Sequence, residues 1–440
     1  MRLLKNRLFI FIFLGLILRL SLIFLDFSFD VNNHMAWGKD MWLRGLSNFY
    51  DLRSSEVYAS AYPNYPPLAN YLFFACYLLR LVIFKLAWWL NIAFPIFPSK
   101  LILFIDSRVF EAACFKLPAI LADLGIAGVV YLFAKKLAPK NNWAKKLAVL
   151  SVLFHPTFFY NSAYWGQIDA IPLFFVLVAS YLLLFSSRYF TSAMFFIAAI
   201  LVKPTALVFV LPYSVYFLWK FGWIKSVRAF LLAQAVFILS FLPYISNQNV
   251  IFYPYIAYLK KIMEAQSLAY ITNNAFNFWM IVAPPANIKD LVISPLGISY
   301  KAIGYILFGI VGALAIHYML IAKDKITVFI FANFFVAYGA VIFLTRMHER
   351  YWLLCLPFLL LFTLQNRHLW KWWIIISFIS FLNLYHGWSV PRIEPLVFVL
   401  INRYFVLLVS IVNTSIFIYL FVQYLMENWR PKVSDRLFFN

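Results

Sequence analysis

The sequence predicts an all-α polytopic membrane protein, a bundle of roughly twelve transmembrane helices with a long first extracytoplasmic loop carrying interfacial helices. Three observations predict it. Of the 440 residues, 65% are hydrophobic and 12% charged, including 50 Phe, 27 Tyr and 15 Trp. Soluble domains are about half apolar and a quarter charged, so a soluble protein is excluded. Apolar windows of roughly 20 residues, each long enough to cross a bilayer as a helix, recur along the whole length, and the alternation of barrel strands is absent. The net charge of +21 is spread over short loops, which reads as membrane topology and attraction to a lipid surface and not as nucleic-acid binding.

The elements follow from charge and length. Residues 1–25 look basic and then apolar, like a signal peptide, but no small-residue cleavage site follows, so a retained first helix starting inside is expected. Basic clusters at 2–7, 135–146, 188, 220–228, 323–325, 367–371 and 430–436 should face the cytoplasm. Between them fall spans at about 8–25, 114–134, 147–164, 170–187, 190–203, 205–219, 229–245, 300–321, 326–345, 351–365, 372–388 and 396–425, with both termini inside. The pair at 190–203 and 205–219 is short and meets at Lys203-Pro204, which suggests a hairpin that does not fully cross. Segment 67–94 is apolar enough to span, yet a crossing there would put the Lys-rich stretch 135–146 outside unless 95–113 also crossed. Its Arg80 and Lys85 beside Trp88 and Trp89 favour the outer interface instead. The outer loops then run over roughly 26–115 and 246–299, too small for a separate catalytic domain. No repeat, low-complexity tract or linker divides the chain.

This topology gathers the polar motifs on the outer face: Asp30 and Asp40, Tyr65-Pro66-Pro67, Trp165-Gly166-Gln167-Ile168-Asp169, Lys203, the stretch Asn273 to Trp279, and Arg346-Met347-His348-Glu349-Arg350-Tyr351. Ionisable groups at membrane depth are expensive and usually functional. Together they offer carboxylates for proton abstraction, Lys203, Arg346, His348 and Arg350 as cations for a phosphate, and Trp165, Gln167, Asp169, Asn274, Asn277 and Trp279 for a sugar or acceptor. Those are the parts needed to move a sugar from a lipid phosphate. Cys76, Cys114 and Cys355 lie in apolar surroundings without metal spacing, and His34, His155, His317, His348, His368 and His386 are scattered over both faces. No metal or other cofactor is expected, although an Asp30–Asp169 pair has the oxygen ligands a hard cation takes.

The ordered motifs carry a family resemblance. Asp30-Val31-Asn32-Asn33-His34-Met35-Ala36-Trp37, Tyr65-Pro66-Pro67-Leu68, Ser107-Arg108 and Leu117 to Asp123 resemble the N-terminal half of the GT-C glycosyltransferases. The nearest likeness is to bacterial and archaeal mannosyltransferases related to the enzyme that adds the second mannose to GPI anchors, and a more distant one is to the glucosyltransferases of lipid-linked oligosaccharide. Trp165 to Asp169, Lys203-Pro204, Asn274 to Trp279 and His348-Glu349-Arg350-Tyr351 resemble the same families in the same order. The likeness covers roughly 8–365, so 1–365 is expected to be the catalytic module and 366–440 further helices of the same membrane domain. The resemblance implies a polyprenyl-phosphate-sugar donor, mannose first among sugars, an inverting transfer, and a glycan, glycolipid or protein acceptor. It implies Asp30 as the base and His348 and Arg350 at the donor phosphate. The site would face away from the cytoplasm, in the cytoplasmic membrane or, in a eukaryote, the endoplasmic reticulum.

Each residue has a plainer alternative. Asp30 and Asp40 read as solvated loop acids, Asp123 as an internally paired one, Asp169 as a helix-start acid, Lys203 as a snorkelling cation, Arg346, His348, Glu349 and Arg350 as a structural ion cluster, Asn273 to Trp279 as loop packing, and Tyr65 to Pro67 as a shape-setting turn. The rival function is a transporter or flippase of lipid-linked sugars or other substrates, which should show related halves with matching broken segments, and none is visible. A non-catalytic scaffold would not need acid, cations and aromatic groups together.

Overall fold

The computed structural model describes residues 2–94, 96–265, 268–283 and 287–427. Every regular element among them is helical. Six helices, Pro67–Ala93, Arg108–Leu137, Pro204–Tyr244, Tyr300–Ile321, Lys325–Phe343 and Arg403–Leu425, are long and apolar enough to cross a membrane. The chain divides into two compact units, Met1–Leu207 with Phe217–Ser267, and Val208–Tyr216 with Leu268–Asn440.

In the first unit, α1 (Arg2–Leu22) leads into α2 (Phe29–Arg44), followed by α3 (Pro67–Ala93), α4 (Ser99–Asp106) and α5 (Arg108–Leu137). Helix α3 starts at a proline, where the missing N–H is no loss. The short α4 covers one side of α3, burying Ala87, Ile102 and Ile105 together. The Ser107 side chain accepts from the Phe110 N–H to start α5. Inside the bundle, Arg19 of α1 donates to Asp123 of α5 at 2.9 Å and to the Leu153 carbonyl at 2.8 Å. Ser162 donates to the same carboxylate at 2.5 Å. Asp123 is therefore an internally paired acid.

The span expected at about 147–164 is broken. Helix α6 (Asn142–Leu153) stops before His155-Pro156, because a proline disfavours helical backbone in the residue ahead of it. The short α7 (Pro156–Phe159) then widens into a π turn over Tyr160–Trp165. Helices α8 (Ala170–Phe185) and α9 (Tyr189–Val202) form an antiparallel hairpin whose far end is pinned by the Asp169–Lys203 ion pair. The break at Lys203-Pro204 is present, but the partner of α9 in a hairpin is α8 and not the expected segment 205–219. The spans expected at about 205–219 and 229–245 are two limbs of one element, α10 (Val210–Phe241), bent at Gly222 with φ 76°. Beside the bend, Lys220 donates to the carbonyls of Leu183, Leu184 and Ser186, capping the end of α8. In α11 (Phe252–Ile256) the Tyr253 hydroxyl donates to Asp51 at 3.0 Å.

In the second unit, α12 (Phe278–Val282) precedes α13 (Tyr300–Ile321) and α14 (Lys325–Phe343), close to the spans expected at 300–321 and 326–345. Ser299 and Asp324 accept from backbone N–H groups at their starts. Helix α14 is buried all round, with 89% of its apolar window inside the protein. It packs against α13, α15 (Leu356–Thr363) and α18 (Arg403–Glu427), while α16 (Trp370–Gly387) and α17 (Glu394–Leu400) complete the unit. The expected span 351–365 begins as a 3₁₀ turn, and 396–425 is interrupted after Leu400.

Candidate active site

The first unit builds its site on a turn. Gly166 ends the π helix with φ 87°, the left-handed region that glycine enters without penalty. The turn brings the Trp165 carbonyl to accept from the Ser28 N–H at 3.0 Å. A Cβ at Gly166 would collide with Val31, so α2 starts directly against this turn. Asp30, half-buried in the first turn of α2, then accepts a hydrogen bond on Oδ2 from Gln167 Nε2 at 2.6 Å. A carboxylate at a helix amino end also meets the positive end of the helix dipole. Lys116 supports the same corner from α5. Its stem packs by Gly166 and its ammonium donates to the Ile23 and Asp26 carbonyls.

Asp169 stands two residues beyond Gln167 and is 1% exposed. It pairs with the fully buried Lys203 at 2.6 Å. Lys203 thus does not snorkel, and its ammonium lies 5.9 Å from the Tyr65 ring centre. Tyr65 packs on His34, Trp37 and Phe73, while its carbonyl accepts from Tyr50 and Asn70. Asp40 is not a solvated acid. It is fully buried, salt-bridged to Arg44 at 3.0 Å, and accepts from Ser54 and Ser55, which fixes the following loop.

The second unit joins two motifs through backbone. The Asn273 N–H donates to the Met347 carbonyl at 2.9 Å, and Asn273 and Asn274 both form single bridges with His348. Asn274 (φ 61°) and Arg346 (φ 63°) adopt the left-handed conformation that turns each strand of chain at this crossing. Asn274 is exposed, whereas Asn277 and Trp279 are fully buried. The Asn277 side chain donates to the Val341 carbonyl and accepts from the Trp279 N–H, and the Trp279 indole donates to the Phe343 carbonyl at 2.9 Å. These two side chains hold the loop to the end of α14.

Arg346 makes two hydrogen bonds to Asp290, at 2.7 and 3.1 Å, and the carboxylate is fully buried. Arg350 donates to Glu349 at 2.9 Å and lies 3.3 Å from His348 Nδ1. Burial alone would raise the Glu349 pKa, but the His348 hydrogen bond and the Arg350 charge outweigh it and hold it below the ordinary glutamate value. Glu349 also packs against Gly387, where any side chain would overlap it. In this motif Asp290 therefore answers Arg346, and Glu349 answers Arg350 and sets His348.

The structure brings Asp30, Trp165 and Gln167 together, Asp169 with Lys203, and Asn274 with His348. Asp30 and Lys203 belong to the first unit; Arg346, His348 and Arg350 belong to the second. Sequence reasoning missed Asp290, Asn383 and Lys116. Asn383 accepts from the Phe276 N–H and the Trp352 indole and donates to the Asn274 carbonyl, so it joins both motifs of the second unit. Only the Asp40–Arg44 pair had a readable signal, its spacing of four along a helix. Among the described residues no group of three or more His, Cys, Asp or Glu could hold a metal ion. No protein-family model matches the chain, and no curated protein matches it.

Proposed function

We propose that the chain is a GT-C-type glycosyltransferase that moves a sugar, mannose in the reading the motifs favour, from a polyprenyl phosphate to an acceptor hydroxyl on the extracytoplasmic side of a membrane. The observation that carries the proposal is the 2.6 Å hydrogen bond from Gln167 to Asp30 across the Gly166 turn. It aims one carboxylate from two motifs 137 residues apart, as a general base requires. In the reaction, the acceptor oxygen attacks the anomeric carbon while Asp30 takes its proton. The bond from that carbon to the phosphate oxygen breaks, and the lipid phosphate leaves with the electron pair. General-base help of this kind contributes roughly 10²–10⁴-fold. His348 and Arg350 would stabilise the departing phosphate, since a charge-assisted guanidinium contact is stronger than a neutral one. Glu349 would orient Arg350 and stay off the donor, which it would repel.

The topology in this proposal has roughly twelve membrane segments, drawn from five of the six long apolar helices, with the rest shorter or broken. Helix α3 would lie along the outer interface. Its support is the mixture at its carboxyl-terminal end, where Trp88 and Trp89 are exposed beside Arg80 and Lys85, as favoured at a membrane surface.

The test is incubation of purified protein with polyprenyl-phosphate mannose, glucose and galactose, scoring lipid phosphate released in the presence of acceptor. Asp30→Asn should lose turnover by roughly 10²-fold or more while donor binding stays near wild type. Near-normal turnover in that variant removes Asp30 from the base role. Absence of release from every donor removes the transferase.

A further inference from the structure

We infer that the cleft between α2, the start of α5 and the loop at 56–58 is a second binding site, made for a neutral sugar ring. Its inner space is small, about 40 Å³, and it opens to solvent, so a ligand would enter it only in part. Asn32, Met35, Ala36 and Lys39 form its floor, spaced so that they line one face of α2. Glu56, Tyr58, Arg108 and Glu111 wall it.

The charges decide the ligand. Lys39 and Arg108 balance Glu56 and Glu111, two against two, so the cleft is formally neutral. Both cations are already engaged: Lys39 with Glu56 at 2.6 Å, and Arg108 with Asn32 and, at 5.3 Å, the Tyr58 ring. A phosphate would meet the Glu111 carboxylate and would have to draw Arg108 from Asn32 or Lys39 from Glu56 to gain a cation. An apolar ligand would strip water from four charges without replacing its hydrogen bonds. Hydroxyl groups both donate and accept, and they fit such a lining. The Tyr58 ring is 64% exposed, and an open aromatic ring stacks on the apolar side of a sugar ring.

The cleft is not the place where Asp30 acts. Asn32 follows Asp30 by two residues in α2, which turns it about 200° around the helix at 3.6 residues per turn. A ligand reaching both must pass round the amino end of α2, so one ring cannot occupy both positions. On the transferase reading, the occupant is a further ring of an acceptor built from several sugars.

The experiment is calorimetric titration of the full chain in lipid nanodiscs, without donor. The probes are manno-, gluco-, galacto- and chitotriose, methyl mannoside and inorganic phosphate. At least one trisaccharide should bind, at least tenfold more tightly than methyl mannoside. Tyr58→Ala and Glu111→Gln should each weaken it tenfold or more, and Tyr58→Phe should retain it. Failure of every trisaccharide to bind, unchanged affinity in both variants, or binding of phosphate that Glu111→Gln strengthens would overturn the inference. Donor turnover is scored separately. A transferase with no trisaccharide binding loses only this cleft, and trisaccharide binding without turnover loses only the transferase.

Discussion

Gly166→Ala is the sharpest perturbation of the proposed site because two independent penalties fall on one methyl group. At φ 87°, an L-residue bears roughly 1–2 kcal/mol of left-handed strain. The new Cβ also overlaps Val31 Cγ2, whose residue is fully buried, and overpacking of this kind costs about 1–3 kcal/mol. The two together come to about 2–5 kcal/mol, enough to move the turn and separate Gln167 from Asp30. A displacement of about 1 Å in a reacting group costs on the order of 10²-fold, so turnover should fall by that amount with a lowered thermal midpoint. Val31→Ala removes the colliding methyl and leaves only the strain. The double variant should therefore be less damaged than the sum of the two singles, with a coupling of about 1–3 kcal/mol. The assay is lipid-phosphate release with thermal denaturation in the same detergent for all four proteins. Additive effects, or wild-type turnover in Gly166→Ala, refute the claim that this contact aims Asp30.

Three further outcomes follow from the ion pairs. Asp169→Asn leaves the buried Lys203 uncompensated and should destabilise the protein by about 3–5 kcal/mol; Asp169→Asn with Lys203→Met should recover most of that in thermal denaturation, and a single variant as stable as wild type would show that the pair does not hold the hairpin. Arg350→Lys should weaken donor binding by about 1–3 kcal/mol, the range for a hydrogen bond to a charged group, because an ammonium lacks the guanidinium fork; wild-type affinity in a donor titration would place the phosphate elsewhere. Glu349 has its pKa held below the ordinary 4.5 in the folded protein, so its stabilisation is complete above that value and is lost as pH falls through the lower folded one. The acid limb of the thermal-midpoint profile should shrink in Glu349→Gln, and parallel profiles for the two proteins below 4.5 would contradict the assignment.

What the sequence made legible is what depends on local composition. The limits of α13 and α14 fall where apolar runs meet Ser299 and Asp324, both of which accept from backbone N–H groups in the structure. The break at His155-Pro156 was equally visible as a proline, but an apolar run of the right length overrode it in a count of spans. Pairing over distance was not legible. Asp290 finds Arg346 across 56 residues, and no periodicity links a loop acid to a motif arginine. Burial was the second blind spot. The amides and rings of Asn273 to Trp279 suit a sugar or a backbone equally well in chemical terms. Only the fold shows that Asn277 and Trp279 face the carbonyls closing α14 while Asn274 is exposed.

That division explains why the motifs are mixed in purpose. A residue that binds substrate must be reachable, and in a chain this apolar it can be reached only where the backbone leaves its helices. Such a departure strands N–H and carbonyl groups that no water can satisfy in the membrane. The side chains beside each exposed group must therefore answer the backbone. Gln167, fully buried, reaches Asp30 from the turn made by Gly166, and Asn277, Trp279 and Asn383 close the crossing that carries Asn274 and His348. Within each motif the supporting residues are buried and those proposed to act on substrate are not fully covered: Asp30 is half-buried and the His348 side chain is 15% exposed. Substituting a buried member should thus lower stability and turnover together, whereas Asp30→Asn should lower turnover alone. A shared loss of stability and turnover in Asp30→Asn would move that residue to the supporting class.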